Sequence, residues 1–247
     1  MTINPQTAVT IENDKESRMR VNPSTLIRWS GLAAVLAGII FAGIQPIHPA
    51  DVVASVSTTT WHIITPLKWV MCLLFLVGIT GIYARQVKEA GWLGLVGFVL
   101  LIFTWWLQAA FVFAEAFLAP PLASRAPSFV DALVGISYGH THGIDLGAMP
   151  AFYAFMGITY MLGGLVFGIA TFRAGILPRW AAGLLAVTAT VTPLAALLPH
   201  AQQRYAAVPM GVALACLGYT LLTERREPAT SPVPGTASPR LHPAEVN

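Results

Sequence analysis

Long unbroken runs of apolar residues most strongly limit how this chain can fold. A run of about 20 apolar residues forms a helix that matches the ~30 Å hydrocarbon thickness of a bilayer. Only 10% of the 247 residues are charged, whereas soluble domains carry roughly 25%. Charged residues therefore cannot cover a water-facing surface. The pattern predicts an all-α integral membrane bundle of about six transmembrane helices.

The runs divide the chain into one membrane domain, residues 26–223, and two polar tails. The predicted spans are residues 26–45, 61–83, 91–119, 149–172, 180–198 and 205–223. Residues 1–25 and the Pro/Ser/Thr-rich residues 224–247 have the composition of disordered tails. Residues 120–148 combine Pro, Gly, Ser and His, which predicts a long external loop between the third and fourth spans.

The distribution of Lys and Arg predicts the orientation of the spans, because cytoplasmic loops carry the excess of these residues. Arg125 and Arg204 lie on one side of the predicted spans, and Lys68 lies within a span. The other eleven lie on the opposite side: Lys15, Arg18, Arg20, Arg28, Arg85, Lys88, Arg173, Arg179, Arg225, Arg226 and Arg240. This asymmetry predicts that both termini are cytoplasmic.

The net charge of +3 does not indicate a nucleic-acid partner. The basic residues stand beside the ends of apolar runs, where they act as topology signals and contact lipid headgroups. The expected partner is the lipid bilayer, and the oligomeric state is left open. Cys72 and Cys216 lie inside predicted spans, so we expect free, buried thiols and no disulfide.

Two predicted cytoplasmic turns carry a family resemblance. They are GIYARQVKEAGWLGL at residues 81–95 and FGIATFRAGILPRW at residues 167–180. They resemble the turns of uncharacterised multi-spanning membrane proteins common in actinobacteria and their relatives. The resemblance would cover most of residues 26–225 and implies a bacterial cytoplasmic membrane. It carries no known activity and no functional residues.

An ionisable residue inside a span costs about 2.5–3.5 kcal/mol on insertion scales, so it needs a partner or a wet cavity. Glu115 lies near the outer end of the third span and shares a helical face with Gln108 and Thr104. Lys68 lies in the second span, where it either pairs with a carboxylate, most simply Glu115, or snorkels to the outer interface.

Further residues on the outer half of the second and third spans add to this polar face. His62 and Thr65 precede Lys68 in the second span. Trp69 and Trp105 flank the polar face and either line a lipophilic pocket or pack in the core. We therefore expect Glu115, Lys68 and His62 to be the candidate catalytic residues, with Thr65, Thr104, Gln108, Trp69, Trp105 and Asp145 around the ligand.

The external loop contains a possible metal site. His140, His142 and Asp145 are residue types that bind zinc and other divalent ions, although their spacing matches no known metal signature. Asp145 could instead cap the helix that begins near Met149. Residues 128–131 resemble a capping box with Asp131 in a structural role. Glycines at every fourth position from 135 to 147 indicate either a flat helix face or an irregular, lid-like loop.

Three functions stay open at this point. The first is a pocket that faces outward and binds or transforms a small lipophilic molecule, with Glu115 as a general acid or base as in a membrane-bound cyclase or isomerase. The second is an accessory or structural subunit that uses the polar cluster as an interface. The third is a transporter of small molecules or ions. No phosphate-binding loop or haem motif is found in the sequence, and no cofactor is expected beyond the possible metal.

Overall fold

The structure is a computed structural model that describes residues 22–139, 141–198 and 200–224. Every regular element in these ranges is a helix. The α-helices are α1 (Pro23–Gly43), α2 (Val53–Val56), α3 (Thr59–Phe113), α4 (Ala119–Leu122), α5 (Pro127–Val134), α6 (Met149–Ala174), α7 (Arg179–Val191), α8 (His200–Gln203) and α9 (Val208–Thr223). Short 3₁₀ segments lie at Gln45–Ile47, Gly135–Tyr138, Thr192–Leu197 and Arg204–Ala207, and a π-helical segment at Ala114–Leu118. The predicted tails lie almost entirely outside the described residues.

Four helical segments are long and apolar enough to cross a membrane. They are Pro23–Ile47, Thr59–Leu122, Met149–Ala174 and Arg204–Thr223. The α-helical part of the predicted fifth span, Arg179–Val191, is shorter, at 13 residues, and continues as 3₁₀ helix to Leu197. The protein is therefore an all-helical bundle with the segments expected of a membrane protein.

Helix α3 is a hairpin of two antiparallel helices. The backbone leaves helical geometry at Gln86 and at Gly91, whose φ is +56°. The two halves then pack side by side. The rings of Tyr83 and Phe98 stack with centroids 4.4 Å apart. The reversal falls between the predicted second and third spans, where glycine tolerates the positive φ at little cost.

Gln86 attaches this hairpin to helix α6. Its side chain is fully buried, and Nε2 donates a hydrogen bond of 2.8 Å to Oγ1 of Thr171. Burying an amide without a partner is costly, so this bond holds the turn against the neighbouring helix. The sequence analysis did not single out Gln86.

Close helix packing builds the rest of the bundle. Helix α1 packs against α3 and α9, and α6 packs against α3 and α7. At the α1–α9 contact, a Cβ added to Gly31 would lie 2.7 Å from the Gly218 carbonyl oxygen. A Cβ added to Gly211 would lie equally close, 2.7 Å, to the carbonyl oxygen of Gly38. Paired glycines thus let two helices approach backbone to backbone, as is common between membrane helices.

The predicted external loop is largely helical. The chain stays helical through the π-helical segment and α4 to Leu122 and forms helix again in α5. The glycine pattern does not form a helix face, because Gly139, Gly143 and Gly147 all have positive φ and lie in turns. The alternative of an irregular segment is the one observed.

The expected capping box at residues 128–131 is wrong. Helix α5 begins at Pro127, and no side chain caps it. The Asp131 carboxylate instead accepts a hydrogen bond of 2.8 Å from the backbone N–H of Val53, 78 residues earlier. That N–H is at the start of α2, so Asp131 ties the two loop helices together across the same end of the bundle.

Gly31→Ala should destabilise the protein, because the new Cβ would meet the backbone of α9. Overpacking of this kind costs about 1–3 kcal/mol, and thermal unfolding of the purified protein would measure it. Gly157→Ala is the matched control, since Gly157 is also within a helix but has no heavy atom within 4 Å of its Cβ position. An equal effect of both substitutions would contradict the close α1–α9 packing.

Candidate ligand cavity

A cavity of about 430 Å³ lies at the end of the bundle opposite the Gln86–Gly91 turn. Several segments that are distant in sequence form its wall, including the end of α1, both halves of α3, the first half of α6 and the 3₁₀ segment Arg204–Ala207. The lining side chains are Phe41, Ile44, Gln45, His48, Asp51, Lys68, Met71, Thr104, Trp105, Gln108, Glu115, Ser137, Tyr138, Tyr153, Tyr160, Thr192, Ala195, Gln203, Arg204, Ala206 and Ala207. The volume is in the range of small-molecule sites.

An ion pair between Lys68 and Glu115 lies in the cavity wall. The Lys68 ammonium donates a hydrogen bond of 2.9 Å to Oε2 of Glu115, and the two side chains are only 13% and 14% exposed. The pair joins the two halves of the α3 hairpin. Of the two alternatives for Lys68, pairing with Glu115 is therefore the one observed.

The π-helical segment positions Glu115. The backbone N–H of Ala119 bonds to the carbonyl of Ala114 rather than to that of Glu115. Pro120 has no N–H, so it cannot bond to the Glu115 carbonyl, which accepts a hydrogen bond of 3.1 Å from Nε1 of Trp61 instead. The backbone of Glu115 is thus held by one side chain and its carboxylate by another. Single π-helical turns of this kind often occur at functional sites.

A second cluster of polar side chains lines the part of the cavity near the loops. Tyr138 donates a hydrogen bond of 3.0 Å to Oδ2 of Asp51. A guanidinium nitrogen of Arg204 donates one of 2.5 Å to the carbonyl of His48. The His48 ring lies 3.9 Å from the Asp51 carboxylate. These contacts join residues 48–51, the 3₁₀ segment Gly135–Tyr138 and the 3₁₀ segment Arg204–Ala207 that precedes the last helix.

Two groups in this region have shifted pKa values. Burial, followed by the positive charge of Lys68, lowers the pKa of His48 to about 4, because a low-dielectric site disfavours the imidazolium. Burial and the nearby Asp51 carboxylate raise the pKa of Tyr138. At neutral pH the imidazole and the phenol are therefore both uncharged.

The deeper part of the cavity is aromatic. The Trp105 ring packs on Phe75, with centroids 4.1 Å apart, and edge-on against Phe41, at 5.4 Å. Trp105 is only 2% exposed, and none of the described residues accepts a hydrogen bond from its Nε1. Tyr153 and Tyr160 from α6 complete this region.

Five of the predicted site residues line the cavity: Lys68, Glu115, Thr104, Trp105 and Gln108. The structure does not bring Thr65 or Trp69 to it. Thr65 is fully buried and donates to the carbonyl of Trp61, and Trp69 packs edge-on against Phe117. Both instead support the helix that carries Lys68.

The predicted catalytic residue His62 is exposed and outside the cavity lining. Its Nδ1 lies 2.8 Å from the carbonyl of Thr58, one turn earlier on its own helix. Helical rotation explains its position, because His62 is six residues before Lys68 and therefore faces another side of the helix. The structure gives it no place in the site.

Two of the predicted metal residues, His142 and Asp145, lie in the described structure and contact different partners. His140 lies outside the described residues. The His142 ring is 65% exposed and lies 3.4 Å from Asp131. Asp145 is exposed and accepts a hydrogen bond of 2.7 Å from the backbone N–H of Gly147, so it stabilises a turn and does not cap the helix at Met149. Within the described ranges no group of three or more His, Cys, Asp or Glu side chains could hold a metal ion.

Several lining residues were missed by the sequence analysis, chiefly His48, Asp51, Tyr138, Tyr153 and Tyr160. One signal could have found His48 and Asp51. They lie in the connection between the first two spans, which the positive-inside pattern places on the same side as Glu115. The tyrosines gave no signal, because a single Tyr in an apolar run is ordinary.

The arrangement can hold an amphiphilic molecule and can exchange protons with it. The aromatic region offers an apolar surface, and Lys68, Glu115 and Arg204 offer donors and an acceptor in a mostly buried setting. Neutral His48 has one ring nitrogen that can accept a proton. No protein-family model, curated protein or solved structure matches this chain.

We predict that the stability of the protein falls as the pH is lowered from about 6.5 to about 4. Because the pKa of His48 is lowered to about 4 in the fold, the unfolded chain takes up a proton in this window and the folded protein does not. Melting temperatures measured across this range would show the decline, and His48→Gln should make it shallower. His62→Gln is the control, since His62 is exposed. An unchanged slope in His48→Gln would contradict the assignment.

Proposed function

We propose that this protein is a multi-pass protein of a bacterial cytoplasmic membrane that binds or acts on a small lipophilic molecule in an outward-facing cavity. The observation that carries the proposal is the cavity itself, in which a buried Lys68–Glu115 ion pair lies beside an aromatic region. Buried ionisable groups inside a membrane domain are costly, and they mark functional sites by default.

The lengths of the elements support six spans. The hairpin turn divides the segment Thr59–Leu122 into two antiparallel helices, each long enough to cross a bilayer. Helix α7, with 13 residues, and the six-residue 3₁₀ segment after it together extend about 32 Å at 1.5 and 2.0 Å per residue. This length matches a ~30 Å hydrocarbon core.

The charge distribution supports cytoplasmic termini and an outward-facing cavity. Among the described residues, Arg28, Arg85, Lys88, Arg173 and Arg179 lie at the end of the bundle that contains the hairpin turn. Arg125 and Arg204 lie at the cavity end. The end with more basic residues is expected to face the cytoplasm.

The depth of the cavity supports a ligand that comes from the bilayer. Glu115 and Trp105 are ten residues apart on one helix, which is about 15 Å at 1.5 Å per residue. Both line the cavity, so it extends from near the surface to about the middle of a bilayer. An apolar body in the aromatic region and a polar group near the ion pair would fit such a site.

The same residues can support acid–base chemistry. The Glu115 carboxylate would accept a proton from the ligand, and the Lys68 ammonium would stabilise the negative charge that develops. His48, neutral at pH 7, also lines the cavity and would be a second proton acceptor. Binding would use the cavity together with the Lys68–Glu115 pair in its wall, and catalysis would in addition use Glu115 as a base.

Glu115→Gln should reduce the small molecules or lipids that copurify with the protein, because it removes the charge that Lys68 contacts. Mass spectrometry of the protein purified in mild detergent would measure the retained species. Glu89→Gln is the matched control, since Glu89 is exposed at the other end of the bundle.

Thermal unfolding of the same variants separates binding from folding. Glu115→Gln leaves the Lys68 ammonium unpaired and should lower the melting temperature, whereas adding Lys68→Met should restore most of the stability. If the double variant is stable and retains the same species as the wild type, the ion pair is structural and the proposal is wrong.

A labelling experiment tests the orientation. In a background with Cys72→Ala and Cys216→Ala, cysteine would be introduced at Asp145 or at Lys88, which are both exposed. A membrane-impermeant maleimide should label position 145 in intact cells and position 88 only after the cells are permeabilised. The reverse pattern would invert the proposed topology.

A further inference from the structure

The buried indole N–H of Trp105 is a hydrogen-bond donor with no acceptor among the residues that the structure describes. Trp105 lines the cavity and is only 2% exposed, and Nε1 has no acceptor among the described residues. A buried indole N–H usually has a partner, and leaving one unsatisfied is costly. We therefore expect a molecule bound in the cavity to accept a hydrogen bond from Nε1 of Trp105.

The other polar atoms near the cavity point to the same ligand chemistry. Nε of Arg204 is buried and also has no acceptor among the described residues. Lys68 donates one hydrogen bond to Glu115 and has two further N–H donors. Two buried donors in the cavity wall, on Trp105 and Arg204, are thus without an acceptor among the described residues, which favours a ligand with acceptor atoms.

The charges in the cavity wall balance. Lys68 is paired with Glu115, and Arg204 is balanced by Asp51, to which it is linked through the Tyr138 hydroxyl. His48 lies among these groups: its ring is 3.9 Å from the Asp51 carboxylate and interacts electrostatically with Lys68, Arg204 and Glu115. Its ring is neutral at pH 7. No net charge is left to attract a charged ligand.

The position of Trp105 fixes where the acceptor lies. Its ring is surrounded by Phe41, Phe75 and Tyr160, about 15 Å along the helix from Glu115 at 1.5 Å per residue. An acceptor that reaches this depth must belong to an otherwise apolar molecule, because a strongly hydrated group would lose its water there.

We propose that the cavity takes an uncharged lipophilic carbonyl compound, whose oxygen accepts a hydrogen bond from Nε1 of Trp105. This inference rests on the proposed function and adds the chemical class of the ligand. A ketone, quinone or ester carbonyl supplies the acceptor, and the attached hydrocarbon occupies the aromatic region. Trp105 is then the residue that distinguishes such a compound from a plain hydrocarbon of the same shape.

Two probes of similar size test the ligand class. Benzophenone is an uncharged ketone, and diphenylmethane has the same two rings but no carbonyl. Binding to the full chain in lipid nanodiscs would be measured by native mass spectrometry. Irradiation of bound benzophenone would then attach it to nearby C–H groups, so that the modified peptides identify the site. Wild type should bind benzophenone about fivefold more tightly than diphenylmethane, which is the effect of one hydrogen bond.

Trp105→Phe retains an aromatic ring and removes the N–H, so the preference for benzophenone should disappear. Trp106→Phe is the matched control, because the neighbouring Trp106 is 58% exposed and should keep the preference. If Trp105→Phe does not fold, the ratio of the wild-type affinities for benzophenone and diphenylmethane tests the preference for a carbonyl compound.

The outcomes separate this inference from the proposed function. Equal binding of both probes in the wild type, with benzophenone adducts on cavity peptides, would overturn the carbonyl ligand and leave the lipophilic pocket standing. A preference that survives in Trp105→Phe would overturn it as well. Binding of neither probe in the cavity would overturn the proposed function itself.

Discussion

The ion pair between Lys68 and Glu115 is the interaction on which the cavity end of the bundle depends. Each charge alone would cost about 2.5–3.5 kcal/mol in a membrane helix, and each is almost fully buried. Pairing removes most of that cost and at the same time holds the two halves of the α3 hairpin together. The pair also keeps a carboxylate and an ammonium in the cavity wall, whose deeper part is aromatic.

The two ends of the molecule are built by different means. At the hairpin-turn end, glycines such as Gly31 and Gly218 let helices touch through their backbones, which leaves little room between them. At the cavity end, Pro120 disrupts the backbone ladder, the helix widens into a π-helical segment, and Trp61 takes up the free carbonyl of Glu115. Polar contacts between segments that are distant in sequence thus surround the cavity, whereas direct backbone contacts hold α1 against α9.

The features that could be predicted from the sequence are those that depend on residues close together in the chain. Hydropathy predicted the four helical segments that are long and apolar enough to cross a membrane, and the turn at Gln86–Gly91 lies at the predicted connection within the longest of them. Helical spacing placed Thr104, Gln108 and Glu115 on one face, and all three line the cavity. The same reasoning was wrong for residues 128–131 and gave His62 a role that its position does not support. Residues close to Lys68 in sequence need not share its face, and a capping motif does not show which helix its carboxylate will meet.

What the sequence determined by itself is the class of protein, the positions of its apolar helices and the existence of one polar face, because these depend on composition and on a repeat of 3.6 residues. Only the tertiary structure decided which polar groups meet. Tyr138 and Asp51 are 87 residues apart in the chain, and Arg204 and His48 are 156 apart. Hydrogen bonds over such separations depend on how the helices pack, and no local pattern encodes that packing.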